Sequence, residues 1–265
     1  MATAIEKLET VVVTTYCKTL RLPAVANNFD ELAQQAVREK KTYVQYLEAL
    51  LQLEIEEQES NAIRRRMVEA KFPRIKTLEE FDFSKNPQIN PAEIRQLEEG
   101  DYIKRSQPVI FIGDCGTGKT HLLTALAVAA CKQKHRVRFT TAANLINELV
   151  EAQREGVLRR TLAKWGRYEV LAIDEVGYVP FVETGAELLF QVIDERAEKA
   201  AILLTTNLPF SEWTKVFPNQ RLCKALLDRV TDRAHIIETG IDSYRFRRTM
   251  ELKKMKKSRK EQISA

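Results

Sequence analysis

No stretch of this chain approaches the 18 or more apolar residues that a membrane-spanning helix requires. The longest apolar run, residues 122–131, is ten residues long and contains Thr124. The N-terminal MATAIEKLETVVV has neither a basic first segment nor an apolar stretch of signal-peptide length, so no export signal is expected. The four cysteines (Cys17, Cys115, Cys131 and Cys223) are scattered without a CxxC pair. That spacing argues against a zinc site and a disulfide scaffold and fits a reducing compartment. No internal repeat is visible. What is present is ordinary for a globular protein: 265 residues, 44% hydrophobic and 30% charged, too apolar for disorder and long enough for one large or two modest domains.

The charge balance is small overall, 42 Lys+Arg against 37 Asp+Glu and a net +5, but it is uneven. Residues 244–265 hold nine basic and two acidic residues, a net +7, which leaves the preceding 243 residues at −2. Such a basic tail either meets phosphate by salt-sensitive attraction or serves as a solvated end.

Four segments are expected. Residues 1–75 read as an all-helical domain. Thr42 is a plausible N-cap, and Tyr43, Tyr46, Leu47, Leu50, Leu51, Leu53 and Ile55 follow at helical spacing in a stretch free of Gly and Pro up to Lys71. The Arg64–Arg66 triplet at its end reads as a solvated face or a phosphate contact. Residues 76–107 read as a linker, because half of the eight prolines fall between 72 and 108. From residue 108 to 243 short apolar runs (VIFI, RVRFTT, VLAI, AILLT, HIIE) alternate with helical stretches. This pattern predicts an α/β fold, a parallel sheet with helices on both faces. Residues 244–265 form the basic tail.

The strongest chemical signal is Gly113-Asp114-Cys115-Gly116-Thr117-Gly118-Lys119-Thr120, a GxxxxGK[ST] phosphate-binding loop set between a strand and a helix. Its backbone N–H groups and the helix N-terminus cradle phosphates. Lys119 reaches the β- and γ-phosphates, and the Thr120 hydroxyl ligates Mg2+. His121 is next on the helix and closes the nucleotide-binding run; its own role reads as packing or hydrogen bonding. The second signal is VLAI followed by Asp174 and Glu175. It places a Mg2+-holding carboxylate at the carboxyl end of a strand and a general base for water beside it. Two acids there indicate ATP hydrolysis rather than storage. Third, Thr205-Thr206-Asn207 closes the next apolar run, where the Asn207 amide can position the attacking water. Fourth, Arg229 could stabilise charge on a neighbouring subunit's γ-phosphate, with Arg233 as competitor and Arg221 a distant third. Trp165, Tyr168 and Trp213 read as packing anchors without basic partners.

The motifs GDCGTGKTHLLTALAVAA, VLAIDEVGY, AILLTTNLPFSEW and ALLDRVTDRAHIIETGIDSYRFR, with TLRLPAVANNFDELAQQA and AKFPRIKTLEEFDFSKNP before them, closely resemble the IstB family of bacterial transposition helper ATPases. The resemblance implies a P-loop AAA+ core of the initiator and helicase-loader type, related to DnaC, DnaI and DnaA. It makes Gly113 to Thr120 the Walker A loop, Asp174 and Glu175 Walker B, Asn207 sensor I and Arg229 the arginine finger. It further implies a cytoplasmic, bacterial homo-oligomer (a ring or spiral) that binds duplex DNA with little sequence preference and meets an IstA-type transposase. About 25 residues follow HIIE, so a helical lid is expected to be absent or truncated; Arg245 and Arg248 are insecure candidates for its arginine. A helicase loader of the DnaC/DnaI type is the alternative, disfavoured by one Cys and no His in residues 1–75. A small-molecule kinase or a non-hydrolysing DNA scaffold fits the paired acids less well.

Overall fold

The computed structural model describes residues 2–178 and 180–241 and divides into two compact units, the first ending at Arg65 and the second starting at Arg66. The basic tail and Arg245 and Arg248 lie outside the described residues. Among the described residues no helix is long and apolar enough to cross a membrane.

The first unit is helical: α1 (Ala2–Leu20), α2 (Pro23–Arg38) and the larger part of α3 (Tyr43–Ala70). Helix α3 starts where the sequence predicts. Gln45 N donates to Thr42 Oγ1 (3.2 Å) and Thr42 N donates to Gln45 Oε1 (2.9 Å), a reciprocal cap that satisfies two orphan donors. Helix α2 has no side-chain cap of its own. Instead Glu54 of α3, buried among apolar residues, accepts from Ala24 N (2.9 Å) and Val25 N (3.1 Å). A carboxylate thus stands at the positive end of α2 and ties it to α3. Cys17, Val25 and Leu50 form the small core, with Phe29, Leu32 and Tyr46 around it.

The second unit begins in the last turn of α3. Residues 76–107, expected as a linker, are instead folded into its core. They contain a 3-10 turn at Phe83–Lys85, α4 (Pro91–Glu98) and α5 (Asp101–Lys104), and they bury Leu78, Ile89, Ile94, Leu97, Tyr102 and Ile103. Pro91 sits in the first turn of α4, behind an Asn90 side chain that accepts from Ala92 N. Its missing N–H costs nothing there, so this proline starts a helix rather than marking a flexible joint.

The rest alternates as the apolar runs predict: β1 (Val109–Ile112), α6 (Lys119–Lys132), β2 (Val137–Thr141), α7 (Ala142–Arg154), α8 (Leu158–Trp165), β3 (Val170–Val176), α9 (Glu183–Arg196), β4 (Ala201–Thr206), α10 (Gln220–Thr231) and β5 (His235–Glu238). The strands pair in parallel in the order β2-β3-β4-β1-β5. Both faces are covered, so each strand alternates between two cores. Val109, Phe111, Val170, Ala172 and Leu203 face α6 and α4, whereas Ile110, Leu171, Ile173, Ile202 and Leu204 face α7 to α10. The apolar run 122–131 is the body of α6, buried along its whole length. The helical stretch between β2 and β3 is divided into α7 and α8, because Gly156 turns left-handed (φ +71°) and Val157 N bonds back to Ala152 O. At the amino ends of the strands, buried Arg196 donates to the carbonyls of Trp165, Tyr168 and Ala201. Burial brings its pKa down to about 10.

Candidate nucleotide-binding site

The loop 113–118 leaves the carboxyl end of β1 and enters α6. Two of its glycines are required by space as well as by angle. A Cβ on Gly113 (φ +151°) would lie 2.5 Å from Thr239 Oγ1, and one on Gly118 (φ +101°) would lie 2.7 Å from the Phe81 ring. Lys119 Nζ folds over the loop and donates to the carbonyls of Gly113 (2.6 Å) and Asp114 (2.7 Å). Cys115 is an exposed free thiol on the loop. The loop is held from behind: Thr117 Oγ1 donates to Asp114 O (2.8 Å) and lies 2.6 Å from Thr239 Oγ1, and Asp114 N donates to Gly240 O.

Thr120, one residue into α6, donates to Asp174 Oδ1 (3.1 Å) at the end of β3. The same oxygen receives the Thr205 hydroxyl of β4 (2.5 Å). Asp174 is buried and Glu175 exposed, an inversion built by the backbone. The β3–β4 register shifts between Ile173 and Val176, and Glu175 takes a left-handed φ of +63° with its N–H on Thr205 Oγ1 (2.8 Å). Such a bulge interrupts the ladder locally and re-aims a side chain. The two acids were legible in the sequence; the bulge that buries one and exposes the other was not.

Asn207 follows Thr206, which lies between Ile112 of β1 and Val176 of β3. It therefore stands at the sheet's carboxyl edge between the phosphate loop and the two acids. Its Oδ1 is buried and bonded to no protein atom, an arrangement costing about 1–3 kcal/mol unless something else donates to it.

A cleft of about 620 Å3 opens beside Gly116, Lys119 and Thr120, and its far wall carries Arg74 and Lys76. These two cations were missed because they flank the boundary drawn between the helical domain and the linker, and no local pattern marks them. His121 Nε2 meets Thr77 O at 2.8 Å and its ring stands edge-on to Phe81 at 5.2 Å. Burial pulls its pKa below the usual histidine value, and the ring also lines the cleft.

Arg229 is elsewhere. It lies on α10 and pairs with Asp194 of α9 at 2.8 Å. With Arg233, Pro108 and Ala200 it lines a pocket at the amino ends of β1 and β4, the opposite edge of the sheet from the phosphate loop. On that edge it is remote from the phosphate loop of its own chain. Arg233 pairs with Asp232. In the Arg64–Arg66 triplet, Arg66 is committed to Lys134 O and Glu69. Trp165 and Tyr168 are buried anchors, but not without basic partners: Arg138 lies over Trp165 and Arg136 over Tyr168, at 5.5 and 5.6 Å. Arg138 lies on β2 and Arg136 just before it, and the neighbouring β3 begins just after these rings.

A parallel sheet in this order, with a glycine-rich phosphate loop after β1 and the Asp-Glu pair ending β3, defines a P-loop ATP-binding core of the AAA+ class. More narrowly, the chain belongs to the family of IstB-like ATP binding proteins, which it matches over residues 15–252. It is 35% identical over 232 residues to an insertion-sequence ATP-binding protein (IS5376) of Geobacillus stearothermophilus, covering 88% of this chain and 92% of that one. It is also 35% identical over 228 residues to the IS21 counterpart of Pseudomonas aeruginosa, with 86% of each covered. Among solved structures it is similar in fold to AMPPCP-bound DnaA of Aquifex aeolicus (TM-score 0.53, 23% identity, 68% of this chain and 55% of that one).

Proposed function

We propose that the protein is a helper of DNA transposition that assembles with ATP on duplex DNA, deforms it, presents it to an IstA-type transposase, and is released when ATP is hydrolysed. The observation that carries the ATPase half is the bonded path from Thr120 through Asp174 to Thr205 and on to Glu175 N. It joins the phosphate loop to the two acids in one rigid array.

Lys119 exchanges the Gly113 and Asp114 carbonyls for β- and γ-phosphate oxygens, which keeps its charge within the loop. The Thr120 hydroxyl and Asp174 carboxylate are hard oxygen donors suited to Mg2+ and would hold it with the nucleotide's own oxygens. There the ion supplies neutralisation of charge on the β- and γ-phosphoryl groups. Glu175, exposed at the mouth, accepts a proton from the attacking water. Asn207 Oδ1 accepts the other O–H of that water and aims it at the γ-phosphorus. Arg229 of a neighbouring subunit completes the charge stabilisation, since on the opposite edge of the sheet it is remote from the phosphate loop of its own subunit. The DNA half rests on the family and on the net +7 of residues 244–265, which favours phosphate contact without base reading.

The test is binding to matched single- and double-stranded DNA with ATP, ADP or no nucleotide, for wild type and Glu175→Gln, at several salt concentrations. ATP-dependent preference for duplex, strengthened in Glu175→Gln, is expected. A preference for single strands would move a helicase-loading role ahead of this one.

A further inference from the structure

A side chain far upstream of the phosphate loop touches both that loop and the residue that follows β5. Asn86 Nδ2 donates to Thr117 O (2.8 Å) and to Thr239 O (3.1 Å). Both partners are carbonyl oxygens, so only the amide NH2 fits there. The segment holding Asn86 is itself fixed. Asp82 accepts from Ser84 N (3.1 Å) and Ser84 Oγ (2.6 Å), Asn86 N donates to Phe83 O (3.0 Å), and Ile89 N returns to Asn86 O (3.1 Å) with its side chain buried. Upstream, Phe81 covers Gly118 and Thr77 O holds His121. The stretch 77–89 therefore forms a strap across the back of the loop.

We propose that Asn86 is a positioning residue for ATP binding. The peptide between Thr117 and Gly118 is trans, so its C=O and N–H point to opposite sides. By holding the Thr117 carbonyl, Asn86 fixes the plane of that peptide and with it the direction of the N–H of Gly118, a residue that lines the cleft. The bond to Thr239 O fixes the second anchor of the same loop, because the Thr239 hydroxyl meets Thr117 and Gly240 O receives Asp114 N. Asn86 thus sets the loop's donors before the nucleotide arrives, and the ordering is not left to the binding step. This inference rests on the nucleotide reading of the cleft.

The experiment measures the Mg2+-dependent affinity of N-methylanthraniloyl-ATP for the full-length wild type, Asn86→Ala, Asn86→Asp and, as control, Lys119→Ala, with thermal unfolding of each. At pH 8 both Asn86 variants should bind about tenfold more weakly, the worth of two hydrogen bonds. Asn86→Asp keeps the size but cannot donate while ionised. As the pH falls to 5.5 its carboxyl, raised by the two facing carbonyls, protonates and donates again. Its affinity relative to wild type at the same pH should then recover, whereas that of Asn86→Ala should not; a merely structural loss would not reverse with pH. Binding within twofold of wild type at pH 8, or the absence of recovery in Asn86→Asp, overturns the proposal while leaving the nucleotide site intact. Equal binding by wild type and Lys119→Ala overturns the site reading itself, and the proposal with it.

Discussion

Two hydroxyls converge on one oxygen of Asp174, Thr120 from the phosphate-loop helix and Thr205 from the neighbouring strand. The Thr120 contact was foreseeable, since both residues belong to recognisable motifs. Thr205 was part of the Thr205-Thr206-Asn207 signal, in which only Asn207 was given a role, yet it holds Asp174 and the Glu175 N–H together. Replacing it with Val keeps the volume and removes both bonds. We expect ATP turnover to fall at least about tenfold, a loss of roughly 1.4 kcal/mol, with a higher Mg2+ requirement in a steady-state titration. Cys115 offers a second residue-scale test, because its thiol is exposed on the loop that should enclose phosphate. ATP with Mg2+ should slow its alkylation by iodoacetamide several-fold in wild type and leave it unchanged in Lys119→Ala, as read by intact-mass spectrometry.

Among the elements, the strands and the long helix were legible because apolar periodicity and a cap are local. Thr42 announced α3 through its reciprocal bonds with Gln45, and VIFI, VLAI and AILLT announced β1, β3 and β4. The strap was not legible: the prolines in and around it looked like a linker, while its contacts, Phe81 on Gly118 and Asn86 on Thr117, are made across more than thirty residues of chain. Likewise, nothing near Pro23 reveals that its helix is capped by Glu54. Glu54→Ala should destabilise the helical unit by about 1–3 kcal/mol, since two buried N–H groups lose their acceptor. Faster hydrogen exchange at Ala24 and Val25 would show it. The phosphate-loop helix carries a pH signature. Burial lowers the His121 pKa below that of the unfolded chain, so the unfolded state binds the proton first. Stability should therefore fall as pH drops through about 6.5 and level off below the folded pKa. His121→Gln, which keeps a donor for Thr77, should flatten that part of a urea-unfolding profile.

For the whole molecule, the decisive relation is between the two edges of the sheet. Arg229 was readable as an arginine near the last strand, but only the fold shows it on the side away from the phosphate loop. Its pair with Asp194 is half-exposed and contributes about 0–1 kcal/mol, so Arg229→Ala should fold normally and bind ATP while turning over slowly. Mixed with inactive Lys119→Ala, it should recover part of the wild-type rate, because some contacts then join a sound phosphate loop to a sound arginine. No recovery at any mixing ratio would place the arginine outside the reaction.

That relation also gives any assembly built through it a direction. A subunit that offers an arginine from one edge and receives one at the other can only join head to tail, as links in a chain with distinguishable ends. A closed ring would leave no link idle. An open spiral would always keep one nucleotide waiting at its leading end, with no partner to complete it, and one arginine unused at the other. Growth and shedding would then differ between the two ends, since hydrolysis could loosen every junction except the one not yet formed.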